Sequence, residues 1–293
     1  MDREAFAAAK INLFLHVGGR LEDGDHGLSS LMVFADVGDR LSLRDAAHLE
    51  LRVRGPFADH LSAGPENLVL RAARRMSEHL AGEHPSVEIA LEKRIPVAAG
   101  LGGGSSDAGA ALRLLRSAWA PDLTDHLLEE IAGGLGADGA ACLWGRPVVA
   151  QGRGERLSSA PLLPQIDAVL VNPGTPVATG EVFARLDTSG RPGDEALPDL
   201  PQAFESVAEL AGWLRATRND LQVPAISLVP QIEDVLATLS DEPETLLARM
   251  SGSGATCFAL CAGDYEAETL AERIEALRPE WWVKRCRLGG PWG

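Results

Sequence analysis

In "IPVAAGLGGGSSDAGAALRLL", residues 95–115, Gly100, Gly102, Gly103, Gly104, Ser105 and Ser106 stand directly ahead of an apolar stretch with helical spacing. Glycines there let the backbone come close to a ligand. The loop N–H groups and the following helix N-terminus then converge on one point, an anion site whose natural guest is phosphate. The two serines add hydroxyl donors or cap the helix. Two familiar phosphate loops do not fit. No Lys-Ser or Lys-Thr closes a Walker-type loop, and Ser105 occupies the place of the third glycine in the dinucleotide pattern, which disfavours a dinucleotide-dependent oxidoreductase. On composition alone, a turn whose serines merely cap a helix competes with the phosphate site.

Three other segments carry residues that suit the same chemistry. "AAAKINLFLHV" puts Lys10 at the mouth of the first strand, "GADGAACL" puts Asp138 just past a helix, and "RMSGSGATCFAL" supplies a second glycine hairpin. Taken singly, such a lysine is ordinarily a solvated charge and such an aspartate a turn former. Phosphoryl transfer asks for nucleophile and phosphate in line, balanced charge, and a group to take the hydroxyl proton.

The elements that must position these residues follow from periodicity. Alternating apolar residues predict strands at 11–17, 48–55 and 87–93, and helical spacing predicts a helix over "PENLVLRAARRMSEHL" with Pro65 near its start. The helix after the glycine loop is expected to begin inside its serines, and "DLTDHLLEEIAGGLGADG" is a helix ending in glycines. "PVVAQGRGERL" is a strand that turns, and a Pro-rich passage marks a boundary near residue 160. Beyond it the order is strand ("IDAVLVNPG"), helices around 204–218 and 226–239, strands "TLLARM" and "ATCFALC", a helix at 265–277 and the strand "WWVKRCRL". That is the order of a ferredoxin-like sandwich. The polar, Gly- and Pro-rich segment 187–202 is expected to be a surface loop.

Together the four motif segments resemble the GHMP kinase superfamily of small-molecule kinases. "DGDHGLSSLMVFADVGD" (23–39), "ENLVLRAA" (66–73), "TGEVF" (179–183) and "NDLQVPA" (219–225) extend the likeness, in order, over nearly the whole chain. Within the superfamily they point to the kinase acting on the cytidine diphosphate conjugate of methylerythritol, in the non-mevalonate isoprenoid route. The resemblance implies an α+β, two-domain fold, with a ribosomal-protein-S5-domain-2-like N-terminal domain (1–159) and a ferredoxin-like C-terminal domain (160–293). It implies ATP as donor, its triphosphate cradled by Pro96, Val97, Ala98, Ala99, Gly100, Leu101, Gly102, Gly103, Gly104, Ser105 and Ser106. Asn67 would contact adenine, with a helix cap as its competing role. Asp138 would accept the proton of the tertiary 2-hydroxyl, and Lys10 would orient Asp138 and balance charge on the phosphoryl group. Magnesium would arrive with the nucleotide, held mostly by phosphates and water, with no metal-ligating residue assigned.

At the acceptor end the resemblance implies Asn12, Thr179, His26 on the pyrimidine edge and Phe183 stacked on its face. Two departures stand out. Asp25 replaces the aromatic residue that normally precedes the histidine, and Gly139 and Ala140 replace a bulkier pair ending in proline. An aspartate beside His26 would favour a ring that donates from both nitrogens. The altered run leaves two other readings open: a family kinase for another small alcohol, and a nucleotide-binding module that has lost catalysis.

The totals bound the partners. A net charge of −15 repels polyanions and excludes nucleic acid as the main partner. With 45% apolar and 24% charged residues over 293, the chain has the balance of a globular protein. No apolar run is long enough to span a bilayer and "MDREAFAAAK" has no cationic-then-apolar leader pattern, so a cytoplasmic location is the expectation. Cys142, Cys257, Cys261 and Cys286 are scattered and expected to be free thiols, and His16, His48, His60, His79, His84 and His126 form no metal-like cluster.

Overall fold

The computed structural model describes residues 4–22, 24–80, 86–188 and 193–292. Asp23, His84 and positions 189–192 of the expected surface loop lie outside the described residues. The chain opens with two long strands, β1 (Glu4–Arg20) and β2 (His26–Asp45), paired antiparallel along their length. Then follow β3 (Glu50–Arg54), α1 (Leu68–His79), β4 (Val87–Glu92), α2 (Gly103–Trp119), α3 (Asp125–Gly133), α4 (Gly139–Trp144), β5 (Val148–Gly152) and β6 (Arg156–Ser159). The second half comprises β7 (Ile166–Asn172), α5 (Thr179–Thr188), α6 (Val207–Leu214), α7 (Gln222–Leu228), α8 (Gln231–Ser240), β8 (Thr245–Met250), β9 (Cys257–Cys261), α9 (Asp264–Leu277) and β10 (Trp282–Gly289).

These strands form one sheet. Its main path runs β3-β4-β2-β10-β7-β9-β8, with β1 and β5 also on β2 and β6 on β5. β2 is the spine: β1 covers one edge, while the other edge meets β5 at Leu28–Met32, β10 at Phe34–Ala35 and β4 at Arg40–Asp45. The order β10-β7-β9-β8, antiparallel throughout and with α9 between β9 and β10, is the ferredoxin-like arrangement expected of the second half.

Helices α1, α2 and α3 pack Val69, Met76, Leu112, Leu115 and Leu128 against Leu41, Ile89 and Leu91 of the sheet. A second core collects Val169 and Val171 with Leu221, Ile232, Val235 and Ile274 from the C-terminal helices. Three expectations shift. The helix after the glycine loop starts at Gly103, ahead of the serines, because Gly102 turns left-handed (φ 61°) and frees the next N–H groups at once. The helix expected over 226–239 is two, since Pro230 forces Val229 out of helical geometry (φ −132°, ψ 84°). Of the expected surface loop, 187–188 end α5, and the described remainder straps β1: the Ala196 carbonyl meets His16 Nδ1 at 3.1 Å, and Glu195 fills the space beside Gly18 and Gly27.

Candidate active site

The glycine loop runs from the end of β4 to α2 along one wall of a cleft of about 710 Å³. Gly100 takes φ 74°, and a Cβ there would stand 2.3 Å from the Ser251 carbonyl, so only glycine fits. Ala98 also lies in the left-handed region (φ 52°), which costs an alanine about 1 kcal/mol. The second glycine hairpin buttresses the first. Ser251 Oγ donates to the Gly100 carbonyl (3.0 Å) and accepts from Asn12 N–H (3.2 Å), and Thr256 N–H donates to the Ala99 carbonyl (3.1 Å). Asn219 holds this hairpin through Nδ2, which donates to the Met250 and Gly252 carbonyls at 2.8 and 2.9 Å.

Lys10 and Asp138 meet across the floor. Lys10 Nζ donates to Asp138 Oδ2 at 2.8 Å and to Asn12 Oδ1 at 2.9 Å, with Lys10 only 6% exposed and Asp138 30%. Asn12 is in turn fixed by Nδ2 donating to Ser30 Oγ (2.8 Å), and Lys10 N–H donates to the Leu101 carbonyl of the glycine loop (2.8 Å). The Lys10–Asp138 pair and the glycine loop are therefore one hydrogen-bonded unit. Beside them Cys142 is buried; burial, then the Asp138 charge, pushes its thiol up to about 12, so it stays protonated and takes no part as a nucleophile.

Beneath the loop lies a charge cluster the sequence did not announce. Lys93 Nζ donates to Asp39 Oδ2 (2.5 Å) and Asp107 Oδ2 (2.9 Å), all three buried. Asp39 Oδ1 accepts from the Arg94 and Ile95 N–H groups at the loop's entry (2.5 and 3.1 Å), so the cluster sets where the loop begins. Burial lowers the pKa of Lys93, but attraction to Asp107 and Asp39 outweighs this and the net shift is upward. Burial raises Asp107 to about 7, Lys93 opposing and Asp39 assisting.

Lys10, Asn12, His26, Pro96–Ser105, Asp138, Thr179 and Phe183 all line the cleft. Thr179 Oγ1 meets Ser253 Oγ at 2.8 Å. Ser106 and Asn67 are placed differently. Ser106 is 1% exposed and off the cleft wall, and Asn67 caps α1, accepting from Val69 N–H (3.0 Å) while donating to the Ser62 carbonyl (2.8 Å). His26 rests on Phe183 with ring centroids 5.1 Å apart. Its acidic partner is not Asp25 but Asp187, at 2.7 Å from Nε2; Asp25 pairs instead with Arg153. Arg20, Lys93, Asp107, Arg153 and Asp187 also line the cleft and were missed from sequence. Among them Lys93, just before the glycine loop, and Asp107, directly after its two serines, carried a positional signal.

Residues 67–146 match the profile of the GHMP kinases N terminal domain, and residues 196–279 that of the GHMP kinases C terminal. The chain is 61% identical to 4-diphosphocytidyl-2-C-methyl-D-erythritol kinase of Caulobacter sp. (strain K31), covering 99% of this chain and 100% of the relative. It is 47% identical to the kinase of the same name from Hyphomonas neptunium, over 97% and 96% of the two chains. A crystal structure of 4-(cytidine 5'-diphospho)-2C-methyl-D-erythritol kinase superposes with a TM-score of 0.77 at 36% identity, covering 98% of this chain and 100% of that one. The mevalonate kinase of L. major, at 14% identity and a TM-score of 0.72 over 100% and 98% of the chains, shares the fold.

Proposed function

The chain belongs to the GHMP kinase family, and from that premise we propose that it transfers the γ-phosphoryl group of ATP to the 2-hydroxyl of 4-diphosphocytidyl-2-C-methyl-D-erythritol, in the non-mevalonate route to isoprenoid precursors. The observation that carries this reading is the Lys10–Asp138 pair, 2.8 Å apart and bonded directly to the glycine loop, in a chain so similar end to end to kinases of that name.

ATP lies with its phosphates on the backbone N–H groups of 100–105 and the N-terminus of α2. The acceptor lies on the Asp138 side, with its pyrimidine toward His26 and Phe183 and Thr179 beside it. Asp138 takes the hydroxyl proton as the oxygen bonds to the γ-phosphorus and the bond to the departing ADP oxygen breaks. The proton then leaves to water through the exposed part of the carboxylate. Two of the three ammonium protons of Lys10 are directed by Asp138 and Asn12; the third faces the phosphoryl oxygens, where negative charge is handed across.

Magnesium suits this site as a passenger on the nucleotide, where it screens the phosphate charge. Among the described residues no group of three or more His, Cys, Asp or Glu is gathered to hold a metal. Asp138 and Asp107 are each committed to a lysine, so phosphate oxygens and water supply the ligands. We assign the loop and catalytic pair to a domain spanning 1–159 and the ferredoxin-like unit to 160–293, with Thr179 and Phe183 reaching in from the second.

ADP release from magnesium-ATP and the conjugate tests the proposal. Turnover that requires the conjugate and falls about 10²- to 10⁴-fold in Asp138→Ala is the expected result. Absence of conjugate-dependent turnover in the native protein overturns the acceptor, and an undiminished rate in the variant overturns the base.

A further inference from the structure

Three residues of α5 stand four apart, Thr179, Phe183 and Asp187, so they share one face of the helix, and all three line the cleft. Opposite Asp187, Arg20 and His26 are paired across the β1–β2 ladder, and the carboxylate is divided between them. Its Oδ1 lies 2.7 Å from His26 Nε2 and its Oδ2 lies 3.5 Å from Arg20 Nε.

The two contacts differ in weight. Arg20 is 66% exposed, and an ion pair in water contributes little beyond steering the carboxylate. The His26 side chain is 8% exposed, so a ring N–H there depends on a protein partner. A carboxylate only accepts. Nε2 therefore carries the hydrogen, and Nδ1 of the neutral ring is left with a lone pair. Among the described residues Nδ1 has no hydrogen-bond partner. The ring also rests against Phe183, with centroids 5.1 Å apart, so a base on Phe183 has His26 as its immediate neighbour.

A lone pair facing the base discriminates between pyrimidines. Cytosine offers an amino group whose N–H donates to it, whereas uracil has a carbonyl oxygen at that position, and two lone pairs then oppose. We propose that Asp187 is a positioning residue for the acceptor's base: by keeping the hydrogen of His26 on Nε2, it fixes Nδ1 as an acceptor and makes the site select an aminopyrimidine. The inference rests on the acceptor proposed above and adds what chooses its base. Without the carboxylate the ring takes either tautomer or turns over, and an N–H facing the base suits the uracil carbonyl.

Calorimetric titration with cytidine diphosphate and with uridine diphosphate tests this on native protein, Asp187→Ala, His26→Ala and the double variant. The native protein is expected to bind cytidine diphosphate about tenfold or more tighter, the worth of one hydrogen bond made in place of one opposed. Asp187→Ala cuts that preference to about threefold or less and raises KM for the conjugate, with KM for ATP unmoved. In the His26→Ala background Asp187→Ala changes the preference no further. Nitrogen-15 NMR of the histidine ring reads the tautomer directly in the native complex with cytidine diphosphate, where hydrogen on Nε2 alone is expected. Hydrogen on Nδ1, as the other tautomer or on a doubly protonated ring, overturns the inference. So does the absence of a native preference, or one that Asp187→Ala leaves intact or narrows equally without His26; turnover of the conjugate by native protein then still upholds the acceptor. Native protein that binds neither nucleotide and turns over no conjugate removes both.

Discussion

Asp107 is a carboxylate that folding shuts away from water, and its cost depends on pH. Its pKa is raised from 3.8 to about 7, chiefly by burial, so the folded protein holds a proton there that the unfolded chain has lost. A raised folded pKa contributes stability that is complete below about 4 and is lost as pH rises through about 7. His16 acts in the opposite sense. Burial lowers it below 6.5, so the stability it lends is present above 6.5 and is lost as pH falls through the lowered value. Asp107→Asn isolates the first effect: urea denaturation is expected to show the variant gaining on the native protein as pH rises from 4 to 8. A constant difference across that range would deny the buried charge. Lys10 and Asp138 were legible in the sequence because each sits in a contiguous motif. Asp39 and Lys93 were not: they are 54 positions apart, and only the β2–β4 register, with Arg40 opposite Glu92, brings them together.

Between elements, Arg249 on β8 does the joining. Buried and, among the described residues, without a carboxylate partner, it donates to the carbonyls of Leu13 (2.7 Å), Leu214 (2.8 Å) and Thr217 (2.9 Å) and to Thr217 Oγ1 (2.9 Å), and burial lowers its pKa to about 10. It thus ties the end of α6 to the strand carrying Asn12. Arg249→Met fills the volume but leaves three buried carbonyls without this donor, and is expected to cost about 3 kcal/mol or more in chemical denaturation. Ala98→Gly, by contrast, relieves a left-handed alanine and is expected to stabilise by about 0.5 kcal/mol, the strain relieved less the entropy glycine adds to the unfolded chain. Differential scanning calorimetry checks the sign. β2 escaped the pattern reading for a physical reason: strands and helices cover it from several sides, so buried residues such as Leu31, Met32, Val33, Phe34 and Ala35 follow one another without alternation. α5 escaped because one buried residue, Val182, gives too little periodicity over ten positions.

At the scale of the molecule, the sequence order strand, helix, strand, strand, helix, strand predicted the second half, but not its fusion to the first. That fusion is β10, which inserts between β2 and β7 and pairs with both. A chain ending at residue 281 would expose the facing edges of β2 and β7, and is expected to collect in the insoluble fraction with no cooperative melt. A soluble, cooperatively melting fragment would show that the halves stand alone. The same insertion sets a schedule during synthesis. β2 ends at residue 45 and β10 begins at 282, so a ribosome adding about 5–20 residues per second leaves the central edge of β2 waiting roughly ten to fifty seconds for its partner. For that interval the nascent chain carries an open strand edge, with which other unpaired strands can pair until β10 takes its place.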